Sequence, residues 1–179
     1  QSGSSRVLDV MNRPYDREWY IGRINAIREI LPDCAISTDI ITGFCTETEE
    51  EHQETLSIME LVKYEMAYMF FYSERPKTLA ERKFEDDIPL EVKKRRLQEI
   101  IDLQQIHGLE SNERAVGKTF KVLVEGVSKR SKDHVYSRNS RNAVIIFEHL
   151  GKVKKGDYVM VKVDGCTSAT LRGNYIKHA

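Results

Sequence analysis

Five cations crowd into thirteen residues near one end of the chain: Lys129, Arg130, Lys132, Arg138 and Arg141, with Tyr136 and Asn139 set between them and Asn142 directly after. This mixture suits a single-stranded polyanion. Guanidinium and ammonium groups neutralise phosphates, while an aromatic ring stacks on an unpaired base. Each phosphate neutralised should impose a log–log salt slope of about −0.7 to −0.9 on binding. A merely solvated basic loop has the same composition. Lys152, Lys154 and Lys155 form a second basic group ahead of Gly156-Asp157, which reads as a turn. Metal chemistry finds less support. Cys34, Cys45 and Cys166 are scattered without CxxC spacing, an odd set that suits a reducing cytosol better than a disulfide framework. His52, His107, His134, His149 and His178 have no metal-ligand spacing and are expected to be solvated, His52 on a charged helix face. There is no P-loop and no GxGxxG, which sets aside nucleotide binding through those motifs.

The charges divide the chain. Its 179 residues carry no net charge, yet 115–179 hold thirteen Lys/Arg against five Asp/Glu, while 1–114 hold fifteen against twenty-three. Two parts of opposite sign suggest two roles, and the basic part is the one suited to a polyanion. No apolar run approaches the roughly 18 residues of a membrane span. The polar, Gly-rich start has no apolar core segment, so no signal peptide is expected, and a cytoplasmic location follows. Gln1 in place of Met suggests a chain cut from something longer.

The elements that must position these residues follow from periodicity. A short helix runs from Ser4 or Ser5 to about Met11. Asp16 opens a longer one in which Tyr20, Ile24, Ile27 and Leu31 recur at helical spacing, and Pro32 closes it. Ala35–Thr42 and Ala67–Tyr72 are short, apolar and read as buried strands. Between them Thr48 and Glu51 form a capping box for a helix presenting Leu56, Met59 and Val62. Ser73 to Ile88 reads as a polar loop, and Pro89 starts a long helix reaching about Asn112. Strand–helix–strand–helix order predicts parallel strands. Two strands are few for a parallel sheet, so 1–114 read as the remnant of a larger α/β barrel or sheet.

After Ala115 the pattern changes to short β-rich runs at Thr119–Glu125, Ala143–Glu148, Tyr158–Val163 and Leu171–Ile176, the pattern of a small antiparallel barrel over 115–179. The basic cluster would then be a loop of that barrel.

Five blocks carry a family resemblance: QSGSSRVLDVMNRPY at Gln1–Tyr15, ISTDIITGF at Ile36–Phe44, FFYSERPKTLA at Phe70–Ala80, IPLEVKKRRLQEIIDLQ at Ile88–Gln104 and VGKTFKVLVEGVSKRS at Val116–Ser131. In this order and spacing they resemble the C-terminal half of the MiaB family of tRNA methylthiotransferases. The resemblance implies an α/β fold class: the C-terminal remnant of a radical-SAM partial (β/α) barrel over 1–114, then a TRAM domain, OB-like, over 115–179. Family members place a methylthio group at C2 of an N6-isopentenylated adenosine beside the tRNA anticodon. They use two 4Fe–4S clusters and S-adenosylmethionine, one equivalent cleaved to a 5′-deoxyadenosyl radical and one supplying methyl. The C-x3-C-x2-C motif that holds the radical cluster is absent, so no cofactor is expected on this chain alone and it is expected to be inactive.

By the same resemblance the S-adenosylmethionine contacts fall on Ser2, Ser4, Arg13, Asp39, Ile41, Gly43, Ser73 and Arg75. A carboxylate such as Asp39 can accept from a ribose hydroxyl, Ile41 can cover adenine, Gly43 admits close backbone approach, and Arg13 or Arg75 suits a carboxylate or phosphate. Structural roles for each stay open: Ile41 as core, Asp39 as a solvating charge, the arginines as surface ion pairs. The RNA contacts fall on Lys129, Arg130, Lys132, Tyr136, Arg138, Arg141 and Asn142, with tRNA as partner. The chain departs from the family's GFPGET at Gly43-Phe44-Cys45-Thr46-Glu47-Thr48 and from RPGT at Arg75-Pro76-Lys77-Thr78; the first loop loses a Pro and a Gly and is expected to differ in shape. Cys45 there reads as a small apolar substitute. Two alternatives remain: a threonylcarbamoyladenosine methylthiotransferase, and a non-catalytic RNA-binding module. An unpaired apolar edge on the Ala35–Thr42 strand would recruit a partner by dimerisation, domain exchange or helix coverage.

Overall fold

The computed structural model describes residues 1–148 and 151–179, so His149 lies outside the described residues. The chain falls into two compact units, Gln1–Gln104 and Gln105–Ala179.

The first unit runs α1 (Ser5–Val10), α2 (Arg17–Ile30), β1 (Ser37–Thr42), α3 (Glu49–Val62), β2 (Met66–Phe71), α4 (Leu79–Lys83) and most of α5 (Leu90–Glu113). Asp16 accepts from Trp19 N (2.8 Å) to start α2, and Thr48 with Glu51 completes the capping box of α3. α4 is one capped turn inside the segment expected to be a loop. Thr78 opens it by accepting from Glu81 N (3.3 Å), a cap whose following run is too short to show helical periodicity.

β1 and β2 pair in parallel, with Asp39 beside Tyr68 and Ile41 beside Phe70. One sheet face, carrying Ile40, Ala67 and Met69, packs against Ile24 of α2, Ile58, Met59 and Val62 of α3, and Ile100 of α5. The other face is open: Tyr68 is 55% and Phe70 56% exposed. The expectation of strands buried on both faces is therefore corrected. A continuous apolar run cannot say whether its second face is covered within the same chain. The outer edge of β1 is met by the chain start, where Ile41 N donates to Gln1 O (3.0 Å).

The buried stripe of α3 is His52, Thr55, Ile58, Met59 and Val62; it includes the expected Met59 and Val62, while the expected Leu56 packs half-buried at its margin. His52 is fully buried, which corrects its assignment to a solvated face. Its ring shares hydrogen bonds with Thr42 Oγ1 (3.2 Å) and Glu99 Oε2 (2.7 Å). His107 is likewise buried, whereas His134 and His178 are partly or fully exposed.

Beside His52, the Glu47 carboxylate is sealed from solvent. It accepts from Gly43 N (2.6 Å) and from Arg96 Nη1 (2.9 Å), and that nitrogen also donates to Glu47 O (3.0 Å). Burial pushes the Glu47 carboxyl above the ordinary carboxylate range, against the pull of Gly43 N and Arg96. Lys93, also buried, donates to Asp86 and to Tyr72 O.

The two loops that lack family glycines keep the conformations glycine would favour. Thr46 has φ 65° and Lys77 φ 72°, the left-handed region that costs a residue with a Cβ about 1–2 kcal/mol. Thr46 is held there by Arg6, which donates to its Oγ1 (3.1 Å) and O (2.7 Å), and by Asp87, which accepts from its N–H (2.8 Å). At Thr46 tertiary bonds impose the conformation that glycine would adopt freely.

The second unit is a closed barrel of order β3-β4-β5-β7-β6, built from β3 (Thr119–Val127), β4 (His134–Asn139), β5 (Val144–Glu148), β6 (Tyr158–Cys166) and β7 (Leu171–His178). Four seams are antiparallel and the β5–β7 seam is parallel, the OB-type order. Val122, Val124, Val135, Ile145, Phe147, Val159, Val161, Val163 and Leu171 fill it. α5 ends close against the β6–β7 turn: Asn112 Nδ2 donates to Thr167 O (2.8 Å), and a Cβ on Gly108 would lie 2.6 Å from Ser168 O.

Two stability outcomes follow. Arg96→Met strands a buried charge and should cost about 3–5 kcal/mol in urea denaturation, whereas Glu47→Gln with Arg96→Met should recover more than half of that; equal losses would remove the pair from its assigned role. Lys77→Gly should raise stability by about 1 kcal/mol, read as a shift of the urea midpoint at constant slope.

Candidate nucleic-acid interface and cofactor pocket

The basic cluster expected as one loop is a turn, a strand and a second turn. Lys129, Arg130 and Lys132 lie in the β3–β4 connection, Tyr136 and Arg138 on β4, and Arg141 and Asn142 in the β4–β5 turn. The strand escaped recognition because its inward residues are Val135, Ser137 and Asn139, only one of them apolar. The polar two are satisfied inside. Ser137 Oγ donates to Ile145 O (2.8 Å), and Asn139 Oδ1 accepts from Arg141 N and Ala143 N (3.0 Å each).

Outward, β4 presents Tyr136 and Arg138. The Tyr136 ring lies against Gly126 at the β3 bulge, where a Cβ would come within 3.2 Å of the ring. Arg138 is already engaged: Nε donates to Glu125 Oε2 (3.1 Å), and Nη1 to Asn142 O (2.9 Å) and Oδ1 (3.1 Å), with Asn142 at φ 62°. Arg138 and Asn142 therefore shape the turn as well as line the surface. Lys129, Arg130 and Lys132 are exposed on the adjoining connection. In OB-type barrels the second and third strands and the first connecting loop form the usual nucleic-acid face; here these are β4, β5 and 128–133.

In the first unit the cofactor candidates separate. Arg13 and Asp39 line one open pocket of about 400 Å³ with Gln1, Tyr15, Tyr20 and Tyr68. Arg13 Nη2 donates to Gln1 Oε1 (2.6 Å). Ile41 follows Asp39 on the same sheet face, packed toward Val7, Phe44, Cys45 and Tyr72. Ser2 and Ser4 are buried and bonded inward: Ser2 Oγ shares a hydrogen bond with Thr55 Oγ1 (3.3 Å), and Ser4 Oγ donates to Glu51 Oε1 (3.2 Å). Gly43 is buried with its N–H on Glu47, and Ser73 and Arg75 are exposed beyond β2. Sequence reasoning missed Tyr68 in this pocket; its alternation with Met69 along β2 was the available signal.

Glu49, His52 and Glu99 each bring one donor atom within 4.8 Å of one another, the one such group among the described residues. Arg95 donates to Glu49 Oε2 (2.7 Å) and Glu99 Oε1 (2.6 Å), and Arg96 also reaches Glu49. Hydrogen bonds from Arg95, more than the countering burial, hold the Glu49 carboxyl down to about 2. Two guanidiniums already supply the positive charge a cation would bring, so the group is an ion-pair network. The three cysteines are far from a cluster ligand set: Cys34 is exposed, Cys45 is buried beside Phe44 and Tyr72, and Cys166 belongs to the barrel unit. Among the described residues no helix is long and apolar enough to cross a membrane.

Comparison with known proteins bears on the chain as a whole. Residues 113–176 match the TRAM domain model. The chain is 59% identical over 174 residues to the tRNA-2-methylthio-N(6)-dimethylallyladenosine synthase of Amoebophilus asiaticus strain 5a2, covering 97% of this chain and 36% of the relative. Synthases of the same name from Christiangramia forsetii and Phocaeicola vulgatus are 56% and 54% identical, each over 98% of this chain and over 36% and 38% of their own lengths. The apo form of Mycoplasma genitalium RNase R aligns over 54% of this chain and 19% of its own at 12% identity and a TM-score of 0.31, too slight a likeness to bear on the fold. Spanning little more than a third of the relatives' length, yet matched along almost all of its own, the chain is similar to the corresponding part of tRNA-2-methylthio-N(6)-dimethylallyladenosine synthases and carries a TRAM domain at residues 113–176.

Proposed function

We propose that this chain is the tRNA-gripping and cofactor-flanking portion of a tRNA-2-methylthio-N6-dimethylallyladenosine synthase. The whole enzyme would insert sulfur and methyl at C2 of an N6-modified adenosine beside the anticodon. The observation that carries this reading is high identity to synthases of that name over almost every residue present. The relatives' names favour the dimethylallyl over the threonylcarbamoyl substrate. The functional division is proposed at 114/115, and the location as cytoplasmic.

The pocket shared by Arg13 and Asp39 fits S-adenosylmethionine in its chemistry, because a guanidinium and a carboxylate face one open space beside aromatic rings. Arg13 would bind the methionyl carboxylate, Asp39 would accept from the ribose hydroxyls, and Ile41 would cover the adenine. Gly43 would shape the strand end through its bond to Glu47, Ser2 and Ser4 would fix the chain start, and Ser73 and Arg75 would close the rim beyond β2. S-adenosylmethionine, when bound, supplies the transferred methyl and the source of the radical. The cysteines do not fit an iron–sulfur cluster, so the chain alone is proposed to be inactive. The outer edge of β1 is proposed to take a further strand, from a second copy or from the rest of a longer polypeptide.

The barrel's part is testable with the chain itself. Fluorescence anisotropy with a labelled tRNA transcript should show binding whose log–log salt slope is −2 or steeper, and K129Q/R130Q/K132Q should flatten that slope by about 2. Tyr136→Ala should weaken binding by about fivefold or more. No affinity at low ionic strength would sink the tRNA reading. Turnover by an intact parent enzyme of the threonylcarbamoyl substrate alone would overturn the choice of base.

A further inference from the structure

The outer surface of β3, β6 and β7 lies around the barrel from the β4–β5 face, and its chemistry is that of a second nucleic-acid contact. The inward residues of β6 are Val159, Val161 and Val163, so Tyr158, Met160 and Lys162 point out. Register places Lys121 of β3 and Lys177 of β7 on either side of Met160, and Lys162 one step along beside Asn174. All three lysines are exposed. Tyr158 is 51% exposed, an aromatic ring turned outward at the end of this basic strip. The Lys121 ammonium stands 4.9 Å from its centroid, a geometry that keeps a cation beside a stacking surface. Arg172 adds a fourth cation, lying across Gly165 at 3.1 Å from where a Cβ would be.

Only two acids lie on these strands, Glu125 and Asp164, and the first is paired with a cation. Glu125 accepts from Arg138, and Asp164 accepts from Asn174 Nδ2 (2.6 Å). The two faces differ in kind. On β4 and β5 the outward residues include a single arginine, tied to Glu125, and the acid Glu148. On β3, β6 and β7 the strands themselves carry the unneutralised charge. A pleated surface bearing lysines on three adjacent strands holds them at spacings fixed by the sheet, unlike cations on a connecting turn.

We propose that the β3–β6–β7 face is a second RNA-contact surface, on which Lys121, Lys162 and Lys177 bind phosphates while Tyr158 stacks on an unpaired base. This rests on the tRNA-binding reading of the barrel and extends it to strands that the usual OB-type face leaves unused. The barrel would then be gripped between two segments of the folded RNA rather than laid against one.

The test compares two triple variants of the whole chain that remove the same charge: K121Q/K162Q/K177Q on this face, and K152Q/K154Q/K155Q on the β5–β6 connection. With labelled tRNA transcript, the first should lose roughly tenfold in affinity and about 2 from the salt slope, and the second less than a third of either. Tyr158→Ala should weaken binding about fivefold or more, with unchanged circular dichroism and thermal midpoint. Equal losses from the two triples would reduce the effect to bulk charge and overturn the proposal, as would wild-type affinity in the first. Lysine-dependent binding to phosphatidylserine vesicles with no binding to RNA would overturn it in favour of a membrane surface. Absence of RNA binding by the wild-type chain would instead overturn the underlying reading, and this one with it.

Discussion

A sealed carboxylate facing a nearly sealed guanidinium sets the geometry of the first unit. Glu47 is fully buried and Arg96 is 5% exposed at its side chain. Through this pair α5 reaches the end of β1, because the same Glu47 carboxylate receives Gly43 N and Thr42 Oγ1. Arg96 also caps the Glu47 carbonyl just before α3 begins. Three elements therefore meet at one charge pair. Such a pair adds little net stability over an apolar substitute, since both ions give up hydration, but it is costly to break and tolerates few alternative arrangements. Its contribution is to fix where the strand ends, and the strand end is where the cofactor candidates begin.

The same logic explains what holds the loop after β1, which lacks the proline and glycine expected from the family resemblance. Proline and glycine fix a turn through backbone restriction and backbone freedom. Here Cys45 fills the proline position as a buried apolar group, and Thr46 occupies a left-handed conformation that a β-branched side chain resists. Arg6 holds it there while also bonding both oxygens of Glu51, whose carboxyl is drawn below the ordinary range chiefly by that hydrogen bond. Long-range hydrogen bonds have replaced local conformational preference. The loop shape is thus a property of the packed unit rather than of its own six residues.

That substitution marks the limit of what the sequence discloses. Helix caps at Asp16 and Thr48, the parallel order of two strands and the valine alternation of the barrel are local signals, and each is visible in a window of a few residues. His52 is not. Its neighbours Glu49, Glu50, Glu51 and Gln53 read as a solvated face, and only Thr42 and Glu99, distant in sequence, make it a buried residue. β4 was hidden for the reverse reason: it turns Ser137 and Asn139 inward, and polar inward positions break the alternation by which a strand is recognised. Of the cofactor candidates, Arg13 and Asp39 share a pocket, whereas Ser2 and Ser4 are bonded into the scaffold. Spacing alone could not separate side chains that face a cavity from those that hold its wall.

The barrel shows why charge counted along a chain is a poor guide to where a polyanion would lie. The densest cationic run in the sequence folds so that Arg138 is spent on Glu125 and on the Asn142 turn, leaving its cations on connections flanking the strand. Lys121, Lys162 and Lys177, by contrast, stand 41 and 15 positions apart and carry no linear signature. They become neighbours only because β3 and β7 both pair with β6. Strand pairing fixes the Cα atoms of those three lysines on one pleated surface, whereas a connecting turn whose backbone must be ordered when RNA binds pays about 1–2 kcal/mol for each residue so fixed. For equal charge, the strand-borne face should therefore contribute more of the binding free energy than the contiguous run does.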